Sequence, residues 1–181
     1  MHPDKNAPWT AITYPQDFSG AGAGLGAQTI LRLQRLVLAR QQGWNITAIV
    51  LACGIGPDMR KHPKQTRPFA DMMKEWLVAE GTFPTDLIRC SANHKAWNCM
   101  EVTLEMLKMI KAQGLSRNVL VASTSFHIYP RMWMTWFLLC GGRKDWRLGF
   151  APAWEGTYNI PHELGGTIKY IPMALWYRGK I

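Results

Sequence analysis

The residue types best suited to chemistry stand together between positions 119 and 131. An apolar run at 119–122 is followed by three hydroxyl residues at 123–125, and then by His127 and Arg131. A histidine transfers protons near neutral pH, and an arginine holds a phosphate or carboxylate through paired hydrogen bonds. The pattern predicts an anion-binding site in which His127 acts as acid or base.

A second interpretation of the same residues needs no ligand. The hydroxyls at 123–125 can cap the helix that follows, with His127 at its start and Arg131 on its surface. No Gly-x-Ser-x-Gly motif surrounds these hydroxyls, so a serine hydrolase is not predicted.

A basic loop at 54–67 is also suited to anions. It contains four cations, the last of them Arg67, and the single carboxylate of Asp58. No acidic residue lies between Asp17 and Asp58, and Arg32 lies within that interval. This positive segment is either part of a site for a phosphorylated ligand or a solvated basic loop.

Glycines occupy every second position from Gly20 to Gly26, separated by two alanines and Leu25. Read from Gly22, the segment fits a GxGxxA variant of the dinucleotide fingerprint, in which backbone amides approach a pyrophosphate. The strand before it is weak, and no acidic residue ends the next strand to hold a ribose hydroxyl. The segment is therefore a dinucleotide loop, a more general anion-binding loop or a flexible connection.

Hydrophobic periodicity predicts that strands alternate with helices. We expect strands at 9–14, 46–52, 86–90, 119–122 and 146–150, and helices at 28–42, 68–80, 97–113, 130–140 and 161–176. This alternation predicts a single α/β domain over 1–181, with a parallel sheet covered on both faces. The loops after the strands, at 15–27, 53–66, 91–96, 123–129 and 151–160, would then converge at one edge.

Composition limits the function classes. The 181 residues carry a net charge of +9, which favours phosphates, nucleic acid or an anionic membrane surface as partners. No apolar run is long enough to span a bilayer and no signal peptide is recognised, so a cytoplasmic protein is expected. The four cysteines form no CxxC pair and are expected to be reduced, and no zinc spacing is present. The tryptophans are expected in the core, so no specific nucleic-acid site is predicted.

The order of these motifs resembles that of the DUF218 family, which includes the YdcF, SanA and ElyC proteins. Ala52-Cys53-Gly54 stands where that family ends a strand in Ser-Gly-Gly, and Asn98 stands within its Thr-x-x-Asn-Ala motif. Residues 69–73 match its Glu-Ala-x-x-Met helix start without the glutamate. Residues 123–131 match its Thr-Ser and His-x-x-Arg motifs, with one extra residue between His127 and Arg131.

The resemblance implies a Rossmann-like three-layer α/β/α sandwich with the polar motifs at one end of a mainly parallel sheet. It also implies a link to the cell envelope and a nucleotide-type ligand such as S-adenosylmethionine. Many relatives have an N-terminal membrane anchor that this sequence lacks, which favours a soluble variant.

The preferred hypothesis is an enzyme, a transferase or hydrolase, acting on a phosphorylated or nucleotide-like anion. The catalytic candidates are His127, Arg131, Asn98 as a substrate-orienting residue and Asp58, with Glu155 as a second possible carboxylate. The ligand-binding candidates are Gly20, Gly22, Gly24, Arg32, Gly54, Gly56, Arg67, Ser123, Thr124 and Ser125.

Two alternatives stay open. One is a non-catalytic module that binds a nucleotide or S-adenosylmethionine. The other is an envelope-associated partner protein held at the membrane surface by its basic, aromatic C-terminus at 169–181.

Overall fold

Five short apolar runs form the strands of one sheet in the computed structural model of this chain. The structure describes residues 3–16, 24–55, 67–93, 95–96, 98–125, 127–140, 144–153 and 160–178. The strands are β1 (Trp9–Thr13), β2 (Ile46–Leu51), β3 (Ile88–Cys90), β4 (Asn118–Thr124) and β5 (Arg147–Ala153). Their order across the sheet is β3-β2-β1-β4-β5, and every neighbouring pair is parallel.

Helices connect and cover the strands, giving a Rossmann-like three-layer α/β/α fold. They are α1 (Ala27–Gln41), α2 (Phe69–Ala79), α3 (Cys99–Ala112), α4 (Trp133–Cys140) and α5 (Ile160–Arg178). All five residues of β1 are buried, and in β4 only Asn118 is partly exposed. Because both faces of a parallel sheet are covered, its central strands are apolar runs, as the sequence predicts.

Local sequence signals fix the ends of several helices. Gly43, Gly81 and Gly114 follow α1, α2 and α3 with φ of 87°, 69° and 61°. This left-handed conformation favours glycine, so the predicted helix ends are confirmed. α3 begins with a capping box, in which Asn98 Oδ1 accepts from the Glu101 amide at 3.0 Å and Glu101 accepts from the Asn98 amide. Cys99 is therefore the first residue of this helix.

The structure corrects the predicted boundaries around the chemical residues. β4 continues through Ser123 and Thr124, and β5 continues to Ala153, although both segments were predicted as loops. The predicted helix at 130–140 begins instead with a wide turn, His127–Met132, that precedes α4. Tyr129 has extended dihedral angles (φ −112°, ψ 114°) because a residue before proline is pushed away from helical conformation.

A pair of tryptophans packs against the middle of β5. The Trp9 and Trp44 rings meet edge to face, with centroids 4.9 Å apart, and both side chains are buried. A Cβ at Gly149 would lie 3.1 Å from a carbon of each ring. The absence of a side chain at Gly149 therefore allows the two rings to reach the sheet.

Gly149→Ala is expected to lower the free energy of unfolding by about 1–3 kcal/mol, because two buried rings cannot both move away from the added methyl group. Urea denaturation measures the change. Gly165→Ala is the matched control, since that exposed position in α5 has open space and alanine favours a helix by about 0.5–1 kcal/mol. A Gly149→Ala protein as stable as the wild type would show that the Trp9 and Trp44 rings move to make room for the added methyl group.

Candidate functional site

The strand order reverses between β1 and β4. The chain passes from β1 outward through β2 to β3, and then returns to the other side of β1 to form β4 and β5. In open parallel sheets, ligands bind at the carboxyl ends of the two strands that flank such a reversal. Tyr14 and Gln16 follow β1 at this edge, and Ser123 and Thr124 end β4. The region 123–131 thus lies where the sequence predicted a site.

Arg32 of α1 joins the two strand ends. Its guanidinium donates to Thr124 Oγ1 at 3.0 Å, to the Tyr14 carbonyl at 3.2 Å and to the side-chain oxygen of Gln16. The residue is only 2% exposed. A positive charge is thereby fixed inside the protein at the reversal point, and Thr124 serves to hold it there.

Ser123 holds the histidine. Because neighbouring residues of a strand point to opposite faces, Ser123 points away from the face of β4 that Thr124 occupies. Its Oγ atom lies 2.8 Å from His127 Nδ1. The other ring nitrogen, Nε2, lies 3.4 Å from the Sγ atom of Cys99. His127 is 3% exposed, so both polar edges of a buried imidazole are occupied by side chains that can exchange a proton with it.

Tyr14 packs against the His127 ring and is itself held by hydrogen bonds. Its hydroxyl accepts from the Trp136 indole at 2.7 Å and lies 2.8 Å from Thr103 Oγ1, which itself donates to the Cys99 carbonyl at 2.6 Å. The Tyr14 ring contacts the His127 ring edge to face, with centroids 5.3 Å apart. Burial raises the pKa of the Tyr14 phenol well above its usual range, so Tyr14 stays neutral and joins α3 and α4 to β1.

Burial and two nearby positive charges favour the neutral form of the His127 ring. Burial lowers the pKa of the imidazole well below its usual value, and the positive charges of Arg32 and Arg131 lower it further. Arg131 is 7% exposed, and its guanidinium lies 5.6 Å from the centre of the Tyr170 ring in α5. The site therefore combines a neutral base with two buried cations.

Cys99 is the site residue that sequence reasoning missed. The capping pattern of Asn98 and Glu101 places it at a helix start, but its contact with His127 joins positions 28 residues apart. Such a contact leaves no periodic or motif signal in one sequence. All four cysteines are thiols, as predicted, and Cys53 and Cys140 are buried.

Several predicted site residues have roles within the fold. Asn98 caps α3, and Ser125 Oγ donates to the Ala153 carbonyl at 3.1 Å. The Gly54 amide donates to the Ala96 carbonyl at 2.9 Å. Arg67 is exposed and forms an ion pair with Glu75 on α2. These contacts stabilise the fold, and they neither require nor exclude a ligand.

Other predicted residues lie outside the described part of the chain. They are Gly20, Gly22, Gly56, Asp58 and Glu155. Gly24 is described and lies just before α1, whose N-terminus follows β1 at the same edge of the sheet.

No protein-family model matches this sequence, and neither a curated protein nor a solved structure matches it. The resemblance to the DUF218 family stays a prediction.

The buried imidazole should make folding stability depend on pH. Below about pH 6.5, His127 gains a proton in the unfolded chain but not in the folded protein, so stability falls as the pH falls. By pH 5.0 this term amounts to at most about 2 kcal/mol. His127→Gln removes it, so the stability difference between wild type and variant should shrink between pH 7.5 and 5.0 in urea titrations.

A stability difference that stays constant with pH would mean that His127 titrates alike in the folded and unfolded states.

Proposed function

We propose that this protein is an enzyme that acts on a phosphorylated or nucleotide-like anionic small molecule at the carboxyl ends of β1 and β4. One observation carries the proposal: Arg32 and Arg131 are both buried beside a buried, neutral His127 at the reversal of strand order. Buried arginines at the carboxyl edge of a parallel sheet attract an anion strongly, because little water screens their charge. A neutral imidazole beside that anion can accept a proton during a reaction.

The two arginines have different tasks in this proposal. The hydrogen bonds of Arg32 to Thr124, Tyr14 and Gln16 fix its position, so it contributes mainly its charge. Arg131 is the more exposed of the two and would contact the anion directly. Ser123 and Thr124 hold His127 and Arg32 through hydrogen bonds, and their predicted contact with a ligand stays a prediction.

The N-terminus of α1 adds to the positive potential. This 15-residue helix begins at Ala27, its first turn contains no acidic residue, and Gly26 provides no side-chain cap. The backbone amides of its first turn and the helix dipole favour negative charge at this point. Gly24 and Gly26 precede it without side chains that would keep a phosphate away.

The charge of the site distinguishes the candidate ligands. The sulfonium of S-adenosylmethionine carries a positive charge that two nearby guanidinium groups repel, whereas a phosphate or pyrophosphate is attracted. A phosphorylated nucleotide or sugar is therefore favoured over S-adenosylmethionine. A non-catalytic nucleotide-binding module would share this preference, and it differs only in that His127 would be dispensable for any turnover.

Arg131→Gln is expected to weaken binding of pyrophosphate or a nucleoside diphosphate about ten- to hundredfold. This change corresponds to the loss of a charge-assisted hydrogen bond worth about 1.5–3 kcal/mol. Isothermal titration calorimetry measures the affinity, after a thermal-shift panel that includes sugar phosphates and S-adenosylmethionine has selected the ligand.

Arg117→Gln is the matched control, because it removes the same charge at the opposite edge of the sheet, where Arg117 pairs with Asp145. Equal effects of the two substitutions would attribute binding to net charge alone. If the wild-type protein binds no anion, the proposed function is wrong.

A second candidate function is attachment to an anionic membrane surface. Large exposed apolar side chains cluster in the C-terminal third of the described chain: Tyr129, Trp133, Phe137, Ile168, Leu175 and Trp176. α4 packs against α5, which also exposes Lys169 and Arg178. Aromatic and cationic side chains together suit a lipid headgroup region. Among the described residues, no helix is long and apolar enough to cross a bilayer.

Under this second candidate, the full-length protein should float with vesicles that contain phosphatidylserine and not with purely zwitterionic vesicles. Trp176→Ser should lower the bound fraction several-fold, because it removes an exposed aromatic group from the contact. Val78→Ser, which removes an exposed apolar side chain from α2, should leave flotation unchanged. Equal losses, or no flotation, would contradict membrane attachment.

A further inference from the structure

We propose that Cys99 is the nucleophile of this site, with His127 as the base that takes its proton and Ser123 as the residue that orients the imidazole. This inference rests on the proposed function, because it names the reacting atom of the same site. The substrate would then be a small molecule with two features: an anionic group held by Arg131, and an electrophilic carbon or phosphorus that a thiol can attack.

The geometry is that of an activated nucleophile. Cys99 Sγ lies 3.4 Å from His127 Nε2, and Ser123 Oγ lies 2.8 Å from the opposite ring nitrogen. A nucleophile, a base and a third group that orients the base, each within hydrogen-bond reach, are the signature of covalent catalysis. The three residues come from the start of α3, the turn after β4 and the end of β4, so the fold and not the local sequence assembles them.

Exposure selects the sulfur as the reacting atom. Ser123 and His127 are buried, whereas Cys99 is partly exposed. Of the three residues, Cys99 is thus the one that a substrate can approach. Ser123 is fully buried and keeps the orienting role that its hydrogen bond gives it.

The other cysteines have surroundings that suppress reactivity. Burial raises the pKa of the Cys53 thiol far above its usual range. Burial also raises the pKa of Cys90 to about 11, and its Sγ lies 3.4 Å from the Ala70 carbonyl. Cys90 is partly exposed, as Cys99 is. It therefore serves as an internal control that lacks the histidine contact.

The charges around the pair couple anion binding to thiol activation. The N-terminus of α3 favours a thiolate at Cys99, its first residue. The positive charges of Arg32 and Arg131 oppose an imidazolium at His127. A bound anion offsets their charge, so His127 then accepts the thiol proton more readily. The base is therefore most effective when an anionic substrate is in place.

The chemical step balances without an additional reactant. Sγ forms a bond to the electrophilic atom, the bond to the leaving group breaks, and the leaving group departs with the electron pair. The thiol proton passes to His127 Nε2 and later to the leaving group or to water. With the probe iodoacetate, a carbon–sulfur bond forms, the carbon–iodine bond breaks and iodide leaves.

Alkylation by two nearly isosteric probes tests the proposal on the full-length protein. Iodoacetate carries a negative charge and iodoacetamide does not. Mass-spectrometric peptide mapping at pH 7.5 should show Cys99 alkylated at least about tenfold faster than Cys90, because its thiol is activated. Iodoacetate should be preferred at Cys99 but not at Cys90, since Arg131 and Arg32 attract its carboxylate. His127→Gln should slow both reagents at Cys99.

The outcomes separate the two proposals. If Cys99 reacts no faster than Cys90 with either reagent, Cys99 is not an activated nucleophile, whether or not the protein binds pyrophosphate. If Cys99 reacts fast with both reagents without preferring iodoacetate, and Arg131→Gln leaves both rates unchanged, Cys99 is the nucleophile but the proposed anion site is wrong. The rate at Cys90 monitors local unfolding in each variant. A His127→Gln protein whose Cys99 keeps the wild-type rate would remove His127 as the base.

Discussion

The buried guanidinium of Arg32 holds together the two strand ends on which the candidate site is built. Its hydrogen bonds reach the Tyr14 carbonyl after β1 and Thr124 at the end of β4. A charge in a protein interior persists only where such partners compensate its lost hydration. The candidate site thus contains a fixed positive charge, which adds to the effect of burial in lowering the pKa of His127.

Hydrogen bonds tie the helices at this edge to the sheet. Tyr14 joins β1 to α3 and α4 through Thr103 and Trp136. Cys99 lies at the start of α3, partly exposed, against a histidine that is itself buried. Catalytic groups held by packed neighbours lose little free energy to reorganisation when a substrate binds.

Much of the fold follows from local sequence signals. The apolar run of β2, the helical periodicity of α1 and the glycines after α1, α2 and α3 predicted the α/β alternation, and the structure confirms it. His127 and Arg131 were predicted to share a site; the structure buries both side chains, and their joint use of a ligand stays a prediction. The contact between Cys99 and His127 could not be predicted, because it depends on how α3 and β4 pack. The same holds for the hydrogen bond between Thr124 and Arg32, which lie 92 residues apart in sequence.

A titration of the His127 ring by NMR, with and without pyrophosphate, tests whether the buried site favours a neutral imidazole and binds an anion beside it. We expect a neutral imidazole down to well below pH 6.5 in the free protein, because burial and two arginines oppose its protonation. Pyrophosphate should move the midpoint to higher pH, since the bound anion offsets those charges. A titration midpoint near pH 6.5 in the free protein would contradict a buried, neutral imidazole. A midpoint that pyrophosphate does not change would contradict an anion site beside His127.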